Sequence, residues 1–116
     1  MRIEVKRING GRVIYINGFE VAREYGGLLS IDLVGEWDFR ESEFVDLGEF
    51  GKVLYADAEF NGFKVRLVGL KYSESSEVIS ARVNVGNIAD EDLAKLVVDI
   101  IKRFMRSDLA KFLLGE

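Results

Sequence analysis

The 116-residue sequence predicts an α+β, β-rich fold: about seven antiparallel strands, in a four-plus-three meander, packed on one long C-terminal helix. Three observations lead there. Apolar and polar residues alternate at period two through the first two-thirds of the chain, the mark of half-buried strands. Asn9-Gly10, Asn17-Gly18 and Asn61-Gly62 cut that region into hairpins, because Asn-Gly suits the positive φ angles of a two-residue turn. After residue 87 the apolar period lengthens to that of a helix. A chain of this size can bury roughly two-thirds of its unfolded surface, so residues 1–116 are read as one domain.

The elements follow in order. Residues 2–8 alternate Ile3 and Val5 with charges, and Asn9-Gly10-Gly11 turns the chain. Residues 12–16 form a short β-branched and aromatic run. After Asn17-Gly18, residues 19–25 return with Phe19 and Val21 on one face. Gly26-Gly27 opens residues 28–37, where Leu29, Ile31 and Leu33 alternate with Ser30 and Asp32. Residues 52–60 and 63–72 flank Asn61-Gly62, the clearest hairpin. Residues 73–76 make a polar turn, and residues 78–85 alternate Ile79, Ala81, Val83 and Val85 with Ser80, Arg82 and Asn84.

The helix is expected over residues 88–113. Leu93, Leu96, Val97, Ile100, Ile101, Phe104, Met105, Leu109 and Phe112 share its apolar stripe. Asn87 can cap its start. Asp90, Glu91 and Asp92 sit at the positive end of the dipole, and Lys102, Arg103, Arg106 and Lys111 toward the negative end. The frame runs through Ser107, so one helix is expected. Residues 38–51 cross between the two sheet halves as a short helix or an ordered loop. Asp38 and Glu41 are spaced as a capping box, Phe39, Phe44 and Leu47 share a helical face, and Gly48 can end it.

This order of four strands, three strands and a helix resembles that of pleckstrin-homology-like barrels, which implies a partly open barrel. The basic pattern of such lipid-binding domains on their first two strands is incomplete, because Arg12 is followed by Val13 and Ile14. No ligand is carried over.

Composition narrows the chemistry. His, Cys, Pro, Gln and Thr do not occur. Without imidazole or thiolate there is no Ser-His-Asp triad, no Cys nucleophile and no ordinary zinc site. Carboxylate, Lys, Arg, Tyr and Ser chemistry remains, and so does an oxygen-only site for a hard cation. Missing Gln and Cys beside many Glu, Lys and Arg lean toward a thermophile composition, whereas three Asn-Gly pairs lean away. Net charge is -4 and uneven. Residues 36–49 hold six acids against Arg40, and residues 1–23 hold five bases against two acids. Neither bias suffices for a nucleic-acid surface. Residues 1–6 lack the apolar run of a signal peptide, and no stretch approaches a membrane span, so a cytoplasmic, non-membrane protein without a cofactor is expected.

Candidate sites are few. Asp57 and Glu59, two apart on a strand, point to one face and could share a cation, with Asp32 a weaker third; a solvated strand face explains them as well. Glu4-Val5-Lys6 matches half of a nuclease metal site but lacks the acid on a preceding strand. Residues 48–52 lack the spacing of a phosphate loop. Lys6, Arg7 and Arg12 surround the first turn and could hold an anion by charge. Trp37, Phe39, Arg40, Phe44 and Phe50 set aromatics among charges, as interface anchors are set, while Phe112, Leu113 and Leu114 exceed what one curled sheet needs from the helix. These features point to a non-catalytic protein-protein interaction module, self-associating as a homodimer or binding another protein. A small-molecule binder with a cavity between sheet and helix is the alternative, and a carboxylate and divalent-cation enzyme the third reading.

Overall fold

A computed structural model describes residues 1–34, 43–73, 76–105 and 107–115. The chain forms β1 (Ile3–Ile8), β2 (Gly11–Ile16), β3 (Phe19–Tyr25), β4 (Leu28–Val34), β5 (Glu43–Asp46), β6 (Lys52–Phe60), β7 (Phe63–Ser73), β8 (Ser76–Asn84), α1 (Asp90–Phe104) and α2 (Ser107–Leu114). All strands join one antiparallel sheet in the order β1-β2-β3-β4-β8-β7-β6-β5. Two meanders therefore meet where β4 pairs with β8, from Leu28 opposite Asn84 to Val34 opposite Val78. No described helix is long and apolar enough to cross a membrane.

The α+β, β-rich architecture and its C-terminal helical segment match the sequence pattern. Asn17 and Asn61 both take φ of 50°, followed by Gly18 at 83° and Gly62 at 86°, so both hairpins turn as Asn-Gly dictates. Three details differ from expectation. The crossing segment contributes an eighth strand: β5 pairs with β6 so that Asp46 lies opposite Lys52, and a 3-10 turn at Gly48–Phe50 separates them. Sheet pairing available to the Glu-Phe-Val-Asp run outweighs the local helical spacing there. The pleckstrin-homology-like strand count is thereby exceeded, and the sheet is open, with β1 and β5 at its edges.

The helix also breaks in two. Met105 adopts an extended conformation, φ -71° and ψ 143°, while its N–H still donates to the Ile101 carbonyl at 3.0 Å. A straight continuation would carry the last eight residues about 12 Å onward. The break instead returns α2 to the sheet, where Ala110 and Leu114 are buried and Asn17 Nδ2 donates to the Leu113 carbonyl at 2.9 Å. Finally, Ala89 rather than Asn87 occupies the N-cap of α1, with no side-chain cap. Asp90, Glu91 and Asp92 in the first turn supply the favourable charge at that end.

The core lies between the helices and one face of the sheet. Ile14 and Ile16 of β2, Leu29 and Ile31 of β4, and Val83 of β8 meet Leu93, Leu96, Val97, Ile100 and Ile101 of α1. Phe60 closes the far side edge-on to Phe104, with ring centroids 6.3 Å apart.

Candidate functional site

A β-bulge sets the geometry at one end of the sheet. From the Asn17-Gly18 turn, Ile16 lies opposite Phe19 and Tyr15 opposite Glu20. The register then slips by one between Ile14 and Tyr15, so Ile14 meets Ala22 and Arg12 meets Glu24. Arg12 and Glu24 come together on the helix-facing side, only 6% and 5% exposed. Arg12 Nε donates to Glu24 Oε2 at 3.0 Å, and its Nη1 donates to the Ile88 carbonyl at 2.7 Å and to Asp90 Oδ1 at 2.9 Å. The other carboxylate oxygen of Glu24 accepts the Gly27 N–H at 2.8 Å. Arg7, largely exposed, reaches the same Asp90 oxygen at 3.2 Å.

Electrostatics follow from this packing. Burial pushes the Glu24 carboxyl upward, but the Arg12 guanidinium and the Gly27 N–H outweigh it and hold the group below the usual carboxylate range. Arg12 is raised, chiefly by its hydrogen bond to Glu24. The network ties β2, β3 and the start of α1 together. Around it opens a cleft of about 530 Å³ walled by Gly10, Gly11, Gly26, Gly27 and Gly86, with Arg7 at its rim. A Cβ on Gly11 would lie 2.0 Å from the Glu24 carbonyl oxygen, so that position admits no side chain. Arg7, Arg12 and Glu24 are the charged residues of the cleft lining, and Arg12 is already satisfied by three acceptors.

The opposite end carries an apolar patch. Phe112 on α2 is 74% exposed and Phe19 at the start of β3 is 53% exposed. Their rings touch, with centroids 6.3 Å apart and planes at 49°. Leu109, one helical turn before Phe112, is exposed beside them on α2. The patch is held from behind by buried Ala110 and Leu114 and by the Asn17 bond to the Leu113 carbonyl. Leu113 itself is half-buried against the core.

The remaining candidates are dispersed. Lys6 separates from Arg7 and Arg12: it lies over the Tyr15 ring at 5.0 Å and 3.7 Å from Glu4. Asp57 is held by Arg66 through two bonds, 2.7 Å and 2.9 Å, and that guanidinium lowers its pKa. Glu59 stands opposite Lys64 across the hairpin. Among the described residues no group of three metal-ligating side chains occurs. Trp37, Phe39 and Arg40 lie outside the described residues, as does Asp38 with its capping box; of Phe44 and Phe50 only the backbone is described. Glu24 and Phe19 are the residues that sequence reading passed over. Without the bulge, the turn register would set Arg12 opposite Arg23, and the only sign of the true pairing is an acid on a strand that must cover an apolar helix. No protein-family model, curated protein or solved structure matches this chain.

Proposed function

We propose that this chain is a non-catalytic protein-protein interaction module that engages its partner through Phe112, Phe19 and Leu109. The observation that supports this reading is the 74% exposure of Phe112 on a helix whose opposite side is anchored in the core. A fold that needed Phe112 for its own packing would turn it inward. Burying a phenylalanine side chain against a partner is worth about 2 kcal/mol, so this pair supplies a useful anchor for an apolar groove or helix on another protein. The fully partnered ion network at the other end fits a structural lock better than a reactive centre.

The test compares wild type with Phe112→Ser in cross-linking capture from the source cell. The reading requires a protein retained by wild type and lost by a Phe112→Ser variant of unchanged melting temperature. Identical capture by both proteins would refute it. A second reading, a small-molecule site in the glycine-walled cleft, is favoured by the five glycines that leave its walls bare. Native mass spectrometry of the purified protein would then show a retained ligand.

A further inference from the structure

We infer that β1 is a self-recognition edge: two copies of this chain join their sheets through Ile3–Ile8 in a single register centred on Val5. The inference concerns a different surface from the aromatic patch and stands or falls independently of it.

Among the described residues, β1 pairs only with β2 and ends the sheet. The Arg2 carbonyl accepts the Asn17 N–H at 2.8 Å, so the backbone groups of Arg2 turn toward β2. Alternation along an antiparallel strand then directs Glu4, Lys6 and Ile8 toward β2, and Ile3, Val5 and Arg7 outward. A second copy of β1 can form a ladder only by pairing outward residues with outward residues. Two such registers overlap most of the strand. One centres on Val5 and the other on Lys6.

Charge decides between them. Centred on Val5, the pairing sets Glu4 of each copy opposite Lys6 of the other, Val5 opposite Val5, and Ile3 opposite Arg7. Centred on Lys6, it sets the two ammonium groups opposite each other, and like charges directly opposite destabilise a sheet. A shorter overlap centred on Glu4 opposes the two carboxylates. Charges that commonly guard a free edge here block the wrong registers and close the right one. Glu4 and Lys6 share the face opposite the core and lie 3.7 Å apart within one strand, with side chains 40% and 61% exposed, so the same charges can be shared across the joint with their counterparts on the second copy. Ile3 and Val5 are half-buried beside the core, so pairing extends apolar burial across the joint. The ladder would add about six hydrogen bonds, two for each outward pair. The other edge, β5, has four residues with an acid at each end, which suits it poorly to self-pairing.

Sedimentation velocity from micromolar to millimolar concentration tests this. Wild type is expected to form a weak dimer and nothing larger. Glu4→Lys and Lys6→Glu should each weaken it about tenfold, since two symmetric attractions become repulsions, and the double swap should restore it. Arg7→Pro removes one outward N–H without touching a β1–β2 bond and should also dissociate the dimer, with the fold verified by circular dichroism. A wild-type monomer at millimolar concentration, a dimer indifferent to the charge changes, a double swap that fails to restore it, or growth beyond the dimer would each overturn the inference.

Discussion

In the first meander Ile14, Ile16, Leu29 and Ile31 are fully buried beneath α1; among the described core-facing side chains of β6 and β7, Val65 reaches that state while Ala58, Phe60 and Phe63 are half-buried. Among the described residues, the sheet is thus more deeply buried in its first half than in its second. Element lengths account for this. The 15 residues of α1 span about 22 Å, whereas the 11 residues of β7 span about 36 Å. No single helix of this length can shield the full strands. The ion network adds to the contrast, since Arg12, Glu24 and Asp90 fasten the covered half to the start of α1, while Asp57 and Arg66 pair on an open surface. The covered half is therefore the platform on which the aromatic patch and the β1 edge are displayed.

Ile100→Ala should cost about 4 kcal/mol, because Ile100 is fully buried under the first meander and a cavity remains. Phe63→Ala, half-buried on the core face of the second half, should cost about 2 kcal/mol, as read from urea unfolding. Equal losses would erase the distinction between the halves.

Glu24→Gln keeps the shape but strips Arg12 of its main counter-charge, and a loss of about 3 kcal/mol is expected. The pH dependence has a definite sign. A depressed carboxyl contributes stability that is complete above the unfolded value of about 4.3 and is lost as pH falls through the lower folded value. Unfolding curves of wild type should therefore steepen their loss of stability in acid, and those of Glu24→Gln should be flatter over the same range. An unchanged acid profile would remove Glu24 from the lock.

Much of this fold was legible in the residues. Asn17-Gly18 and Asn61-Gly62 mark their hairpins because the turn chemistry is local, and the α1 stripe is legible because seven buried positions recur at helical spacing. The bulge at Ile14 and Tyr15 was not, since a one-residue slip leaves no mark in composition and reverses which side of β3 faces the helix beyond it. Val21 and Phe19 consequently do not share the role that simple alternation implies: Val21 is buried and Phe19 is displayed. The helix break at Met105 escaped for a related reason, because the apolar frame continues through it and only the return of Leu114 to the core requires it. Phe112 could be marked as surplus from the stripe alone; its contact with Phe19 depends on the break.

The claim that the aromatic pair is displayed for a partner rather than required by the fold is tested most directly by the melting temperature of the Phe19→Ser/Phe112→Ser double variant. The account predicts a melting temperature within about 3 °C of wild type, and a loss of about 8 °C or more would show that the two rings belong to the packed core and contradict it.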